Sequence, residues 1–129
     1  MSLQSNIHAA FEEWLAATQA CEAPRAEDTG LSFRRYGHAL AALEMESDYL
    51  VLYRIETVPE QRGKGHANRL LELLIGISNR HQVTLLGQAN AYDSNGLPQA
   101  LLLSWYERHA FEVDHSHTSP PLVWYPRKP

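Results

Sequence analysis

Between Val58 and Leu74 the chain reads VPEQRGKGHANRLLELL, in which Arg62, Gly63, Lys64, Gly65, His66 and Ala67 fall between an apolar run and a leucine-rich helical pattern. Glycines and cations at the start of a helix point to anion binding. The first turn of a helix carries backbone N–H groups with no partner, the helix dipole adds partial positive charge, and glycine lets a ligand oxygen approach the main chain. Arg62 and Lys64 either add charge to such a site or stand solvated beside it.

Two familiar phosphate motifs do not fit. A P-loop needs four residues between its glycines and a Lys followed by Ser or Thr, and GKGHA meets neither demand. A dinucleotide fingerprint needs a third glycine where this chain has Asn68. Metal chemistry has little support either: His115 and His117 form an H-x-H pair with no Cys, Asp or Glu partner at ligand spacing, and are expected to be exposed polar residues. Glu56, a charge inside the strand-like run YRIETV, is a candidate general base, an ion-pair partner of Arg54, or a solvated strand-end carboxylate.

These residues need elements to hold them. Ile7, Phe11, Trp14, Leu15 and Thr18 recur at helical spacing, which predicts a helix from Ile7 to about Ala20 with Asn6 as N-cap. CEAPRAEDTG is a loop, LSFRRYG a short strand, and HALAALEMESD, whose alternation competes with its helix-forming alanines, is read as a strand. YLVLYRIETV, apolar on both sides for most of its length, predicts a central strand. After the glycines, Ala67, Leu70, Leu71, Leu74 and Ser78 share one helical face up to about His81. A strand in VTLLGQANAY, a turn in DSNGLP, a helix in QALLLSWYERH and two short strands in AFEVDHSHTSPPLVWYP complete the order. Trp105 is expected to pack on the sheet, and Trp124 and Tyr125 to seal an edge strand. The alternation predicts one α/β or α+β domain over residues 1–129, with one principal sheet.

Composition narrows the function classes. At 44% hydrophobic and 20% charged residues, the chain of 129 residues suits a single soluble domain, and no apolar run approaches the ~20 residues of a membrane helix. A net charge of −4 gives no general attraction to nucleic acid or anionic lipid. Cys21 is the only cysteine, so an intrachain disulfide is impossible. Glu12 and Glu13 interrupt any signal-peptide reading, and a cytoplasmic chain is expected.

The pattern R-x-x-G-x-A, made by Arg62, Gly65 and Ala67 directly after a strand and at the opening of a long helix, resembles the acetyl-coenzyme A pyrophosphate loop of the GNAT superfamily of N-acetyltransferases. Further on, SWYERHAF resembles that superfamily's aromatic-Tyr-Glu-basic-x-Gly-Phe segment, in the expected order and with the expected helix and strand between. The resemblance covers Tyr49 to Phe111. Ala110 departs from it where a glycine is usual, and Gln99 stands where asparagine is common.

By that resemblance, the fold is a single domain whose mixed, mostly antiparallel sheet is flanked by helices and splayed at the cofactor site, between the strand ending at Val58 and the one starting near Thr84. Acetyl-coenzyme A is the implied cosubstrate, its pantetheine arm along Ile55, Thr57 and Val58, its pyrophosphate on Arg62, Gly63, Lys64, Gly65, His66 and Ala67, and a further contact at Gln99. The implied reaction is direct acetyl transfer to a primary amine, with Tyr106 as general acid and Glu56 as general base; Tyr53, Tyr92 and Glu44 are weaker substitutes for the base. No metal is expected. The acceptor is a small-molecule or peptide amine, a homodimer is the expected assembly, and a non-catalytic acyl-coenzyme A binding module is the alternative.

Overall fold

The computed structural model describes residues 3–89, 98–118 and 120–128. Among these residues three α-helices are present, α1 (Leu3–Ala17), α2 (His66–Arg80) and α3 (Gln99–Arg108). Seven strands join them: β1 (Gln19–Ala20), β2 (Phe33–Tyr36), β3 (Ala39–Met45), β4 (Leu50–Thr57), β5 (Leu85–Gln88), β6 (Glu112–Val113) and β7 (Pro121–Trp124). They form one sheet in the order β1-β2-β3-β4-β5-β7-β6. Every neighbouring pair is antiparallel except β4 with β5, so the expected mixed, mostly antiparallel sheet is present.

The main core lies between the helices and one sheet face. Ile7, Ala10 and Trp14 of α1, Leu70, Leu71, Leu74 and Ile77 of α2, and Leu102 and Tyr106 of α3 bury against Ala39, Ala41, Leu43, Leu50, Leu52 and Ile55. Burying a side chain of this size is worth about 1.5–3 kcal/mol, which outweighs the weak propensities that left β3 ambiguous. The alternate β3 residues Leu40 and Ala42 join Phe33 in a smaller cluster on the opposite face, under Cys21, Ala23 and Leu31.

A β-bulge controls which residues of β4 meet which face. Ala42 pairs with Arg54, but Leu43 pairs with Leu52, so Tyr53 is an extra residue in the ladder. Up to Leu52 the even-numbered residues face the helices. Beyond Tyr53 the odd-numbered ones do, so Ile55 and Thr57 lie opposite Ala41 and Ala39, while Arg54 and Glu56 lie opposite Ala42 and Leu40.

The parallel pairing of β4 with β5 runs only from Leu50↔Leu85 to Leu52↔Gly87. Beyond it β5 continues along β7, whereas β4 runs on to Thr57 beside β3 alone among the described residues. The sheet therefore splits where the bulge stands. Gly87 is required at the split: a Cβ there would lie 3.0 Å from the Leu52 carbonyl oxygen.

Both long helices leading away from the split end in Schellman motifs. In α3, Ala110 N–H donates to Glu107 O (3.0 Å) and Phe111 N–H to Tyr106 O (3.1 Å), with Ala110 left-handed at φ +69°. The apolar contact of that motif is Tyr106 on Phe111, ring centroids 5.2 Å apart. In α2, Gln82 holds the same place at φ +56°, and Val83 N–H donates to Ser78 O at 2.9 Å. The departure at Ala110 thus leaves the turn in its glycine conformation and loads strain onto an alanine.

Several expectations need correction. Helix α1 occupies Leu3–Ala17 rather than Ile7–Ala20, so Asn6 lies inside it and is no cap. It stops because the Thr18 hydroxyl bonds back to Trp14 O (2.6 Å) and the Arg34 guanidinium takes the carbonyls of Leu15 and Thr18. Trp124 does not seal an edge: β7 is interserted between β5 and β6, and Trp124 is 2% exposed while Tyr125 points outward. Strand β5 is shorter than VTLLGQANAY, whose last residues, with Tyr92 and most of the DSNGLP turn, lie outside the described residues. No helix among the described residues is long and apolar enough to cross a membrane.

Candidate functional site

The loop after β4 turns through a short 3-10 segment, Pro59–Gln61, and two glycines before α2 begins. Gly63 (φ +82°) and Gly65 (φ +78°) are both left-handed, a conformation that costs other residues about 1–2 kcal/mol. Gly65 is the N-cap of α2 and offers no side chain to the first-turn amides. The first helical bond, Arg69 N–H to Gly65 O at 3.1 Å, leaves the N–H groups of His66, Ala67 and Asn68 without an intrahelical acceptor. An anion is the natural partner for such an end.

This helix start faces a cleft of about 250 Å³ lined by Ile55 and Thr57 of β4, by Arg62, Gly63, Gly65, His66, Ala67 and Asn68, and by Leu102 and Trp105 of α3. Seven of the sequence-predicted residues therefore meet in one place: Ile55, Thr57, Arg62, Gly63, Gly65, His66 and Ala67. Lys64 lies in the loop but turns its ammonium to Gln61 Oε1 (3.2 Å). Val58 sits among the small cluster on the other face, its N–H donated to His38 O at 3.0 Å. Gln99 opens α3 and donates to Ala89 O (3.3 Å), tying the helix to the end of β5 outside the cleft wall.

Asn68, Leu102 and Trp105 complete the cleft and were not expected there. The Trp105 indole N–H donates to Asn68 Oδ1, pinning α3 to the first turn of α2. Leu102 and Trp105 are three apart and share a helical face with Tyr106, a spacing visible in the sequence; that this face meets Asn68 is a tertiary fact. Trp105 both packs on the core, as expected, and walls the cleft.

The two proposed catalytic side chains stand apart from this cleft. Tyr106 is 5% exposed, packed between Trp105 and Phe111, and burial pushes its hydroxyl well above the usual tyrosine range. It keeps its proton at any physiological pH. Glu56, on the opposite face of β4, is 6% exposed and accepts from Arg25 Nη2 at 2.6 Å. Its partner is Arg25, not Arg54. Arg54 instead pairs with the buried Asp28 (3.2 Å), which Arg25 also contacts (3.2 Å), so both guanidiniums and both carboxylates belong to one ion-pair network.

A second groove, about 280 Å³, is lined by Tyr49, Val51, Leu52, Tyr53, Arg54, Leu86, Gly87 and Gln88. It contains Val51 and Arg54, which lie on the face opposite the helices, and it reaches the split through Leu52 and Gly87. Glu44 is paired across from Val51 and is half-buried on that same face. His115 and His117 are exposed, contacting Glu107 and Asp114, and no group of three metal-ligating side chains exists among the described residues.

No protein-family model and no curated protein sequence matches the chain. Solved structures do. The anti-CRISPR protein AcrVA5 superposes with a TM-score of 0.58 at 15% identity over 70% of this chain and 93% of its own. A Corynebacterium glutamicum protein described as histone acetyltransferase HPA2 and related acetyltransferase gives 0.52 at 14% identity over 98% and 76%. The Bacillus subtilis N-acetyltransferase YlbP, in complex with coenzyme A, gives a weaker 0.49 at 16% identity over 74% and 67%. What the chain shares with the first two is the fold, which is GNAT-like and in this chain is a mixed sheet of seven strands among the described residues, flanked by helices and split between β4 and β5.

Proposed function

We propose that the chain is an acyltransferase of GNAT type that carries an acetyl group from acetyl-coenzyme A to a primary amine of a small molecule or peptide. One observation carries this reading. The open start of α2, with two left-handed glycines and Arg62, shares a cleft with the end of β4 that has parted from β5. A phosphate end and an extended arm are the ligand such a cleft would suit, the first on backbone amides and the second along a free strand edge.

Acetyl-coenzyme A would supply an activated thioester. The amine nitrogen forms a bond to the acyl carbon, the C–S bond breaks, one proton leaves the nitrogen and one reaches the sulfur. Tyr106 is the acid in this reading: burial keeps its hydroxyl protonated, and its ring meets, edge to face, the Trp105 ring that walls the cleft. Glu56 is poorly placed as the base, because it lies on the face of β4 opposite the cleft and its carboxylate is held by Arg25. We assign it to holding the Arg25–Asp28 loop on β4 and let water carry the amine proton away. The amine enters from the second groove, across the split.

A second reading, a non-catalytic acyl-coenzyme A binding module, is favoured by one fact: the Tyr106 ring lies in the core and the Glu56 carboxylate is already paired. Calorimetric titration of acetyl-coenzyme A into wild-type protein and Gly65→Glu tests both. The expected result is saturable binding by wild type, weakened at least about a hundredfold in the variant, where a carboxylate would enter the anion site at a left-handed position. Folded wild type without binding sinks both readings. Binding, with an amine-screen activity unchanged in Tyr106→Phe, removes the acid role; binding with no acylation of any amine leaves the binding module.

A further inference from the structure

We propose that Arg69 is a further anion contact of the cleft whose availability is set by protonation of His66, so that binding of a pyrophosphate-bearing ligand takes up a proton. This rests on the acyl-coenzyme A reading and deepens it. Arg69 is one turn into α2, and its Nη2 lies 3.0 Å from His66 Nδ1 and 3.0 Å from Lys64 O. A guanidinium can only donate. His66 Nδ1 must therefore present its lone pair, which makes the imidazole neutral with its hydrogen on Nε2.

His66 stands among cations. Arg69 contacts it from α2, Arg62 shares the cleft, Lys64 lies in the preceding loop, and His38, just before β3, meets its ring edge to face with centroids 4.8 Å apart. No carboxylate lines the cleft among the described residues. Partial desolvation, then Arg69, His38 and Lys64, hold the imidazole below the ordinary histidine range. The loop therefore presents a neutral histidine accepting from an arginine.

A bound pyrophosphate diester reverses that balance. Its two negative charges favour imidazolium, and a proton on Nδ1 ends one of the two hydrogen bonds of Arg69 Nη2, leaving that to Lys64 O. The guanidinium, still anchored to the loop, and the imidazolium can then both donate to the anion. The proton comes from solvent, so affinity rises as pH falls through the range between the free and bound values of His66, with a limit of tenfold per pH unit for one proton. The sign follows from the charges: neighbouring cations lower His66, and a bound dianion opposes them and raises it.

The test is titration of dephospho-coenzyme A, which lacks the phosphate monoester that itself titrates near pH 6, into wild type, His66→Gln and Arg69→Gln between pH 5.5 and 8.5. Buffers of different ionisation enthalpy count the protons. Wild type should bind about three- to tenfold tighter at pH 6 than at pH 8, with net proton uptake. His66→Gln should bind with affinity flat to within about twofold, and Arg69→Gln should lose most where wild type is tightest. Wild-type binding that is independent of pH, or a slope retained in His66→Gln, overturns the linkage and leaves the cofactor reading intact. No binding at any pH by folded protein overturns both.

Discussion

Ile55, Glu56 and Thr57 are consecutive residues of one strand, yet the two faces they serve treat polarity in opposite ways. On the helix side, Ile55 and Thr57 border a cleft where the first-turn amides of α2 have no intrahelical acceptor beside two left-handed glycines. On the other side, Glu56 is met by Arg25, and Arg25 and Arg54 by Asp28, so the protein answers its own charges. Buried charge that is internally balanced specifies structure, whereas donors held open at a rigid helix start specify a ligand. The difference says which face to expect chemistry on, and it places the conspicuous carboxylate of the sequence on the structural side.

That contrast is best broken at Glu56 itself. Glu56→Ala removes the carboxylate that Arg25 Nη2 holds, and urea denaturation should show a loss of about 2 kcal/mol, less than a fully buried pair would give because Arg25 is one-third exposed. Acetyl-coenzyme A affinity should move by less than about threefold. If affinity collapses while stability holds, the closed face belongs to the ligand after all.

Gly87 sits at the seam between the faces, and Gly87→Ala should cost about 1–2 kcal/mol in the same assay, because its Cβ would press on the Leu52 carbonyl and push β5 from β4. An unchanged denaturation midpoint would mean that the split is compliant rather than fixed. The smallest effect is expected at Ala110. Ala110→Gly should raise stability by about 1 kcal/mol, seen as a thermal midpoint some 3–5 °C higher, since release from the left-handed strain exceeds glycine's entropy in the unfolded chain. A lower midpoint would show that the turn has already relaxed around alanine.

Much of the open face was legible in the sequence, and little of the closed one. The glycines, their cations and the 3.6-residue period of α2 are local signals, and the β-branched run of β4 marks it as central without help from its neighbours. Asn68 meeting Trp105, or Arg25 reaching Glu56, spans 37 and 31 residues and depends on how elements pack. No period encodes that. The bulge at Tyr53 was equally hidden, since an extra residue shows only against the partner strand, and YRIETV read as uninterrupted alternation would set Glu56 on the helix side. Trp124 was misplaced for a similar reason: β7 enters the sheet between two strands that precede it in the chain.

Tyr53 also bears on how this chain can change over time. Its side chain is 40% exposed, so many residues would serve in its place. Its presence is no more required for the facing, because deletion of Tyr53 would leave Leu43↔Leu52 and Ala42↔Arg54 as successive pairs of a regular ladder, with Ile55 and Glu56 on the faces they now occupy. Length at this point of the strand can therefore change by that one residue without exchanging the two faces beyond it, which a one-residue change in an unbulged strand would do.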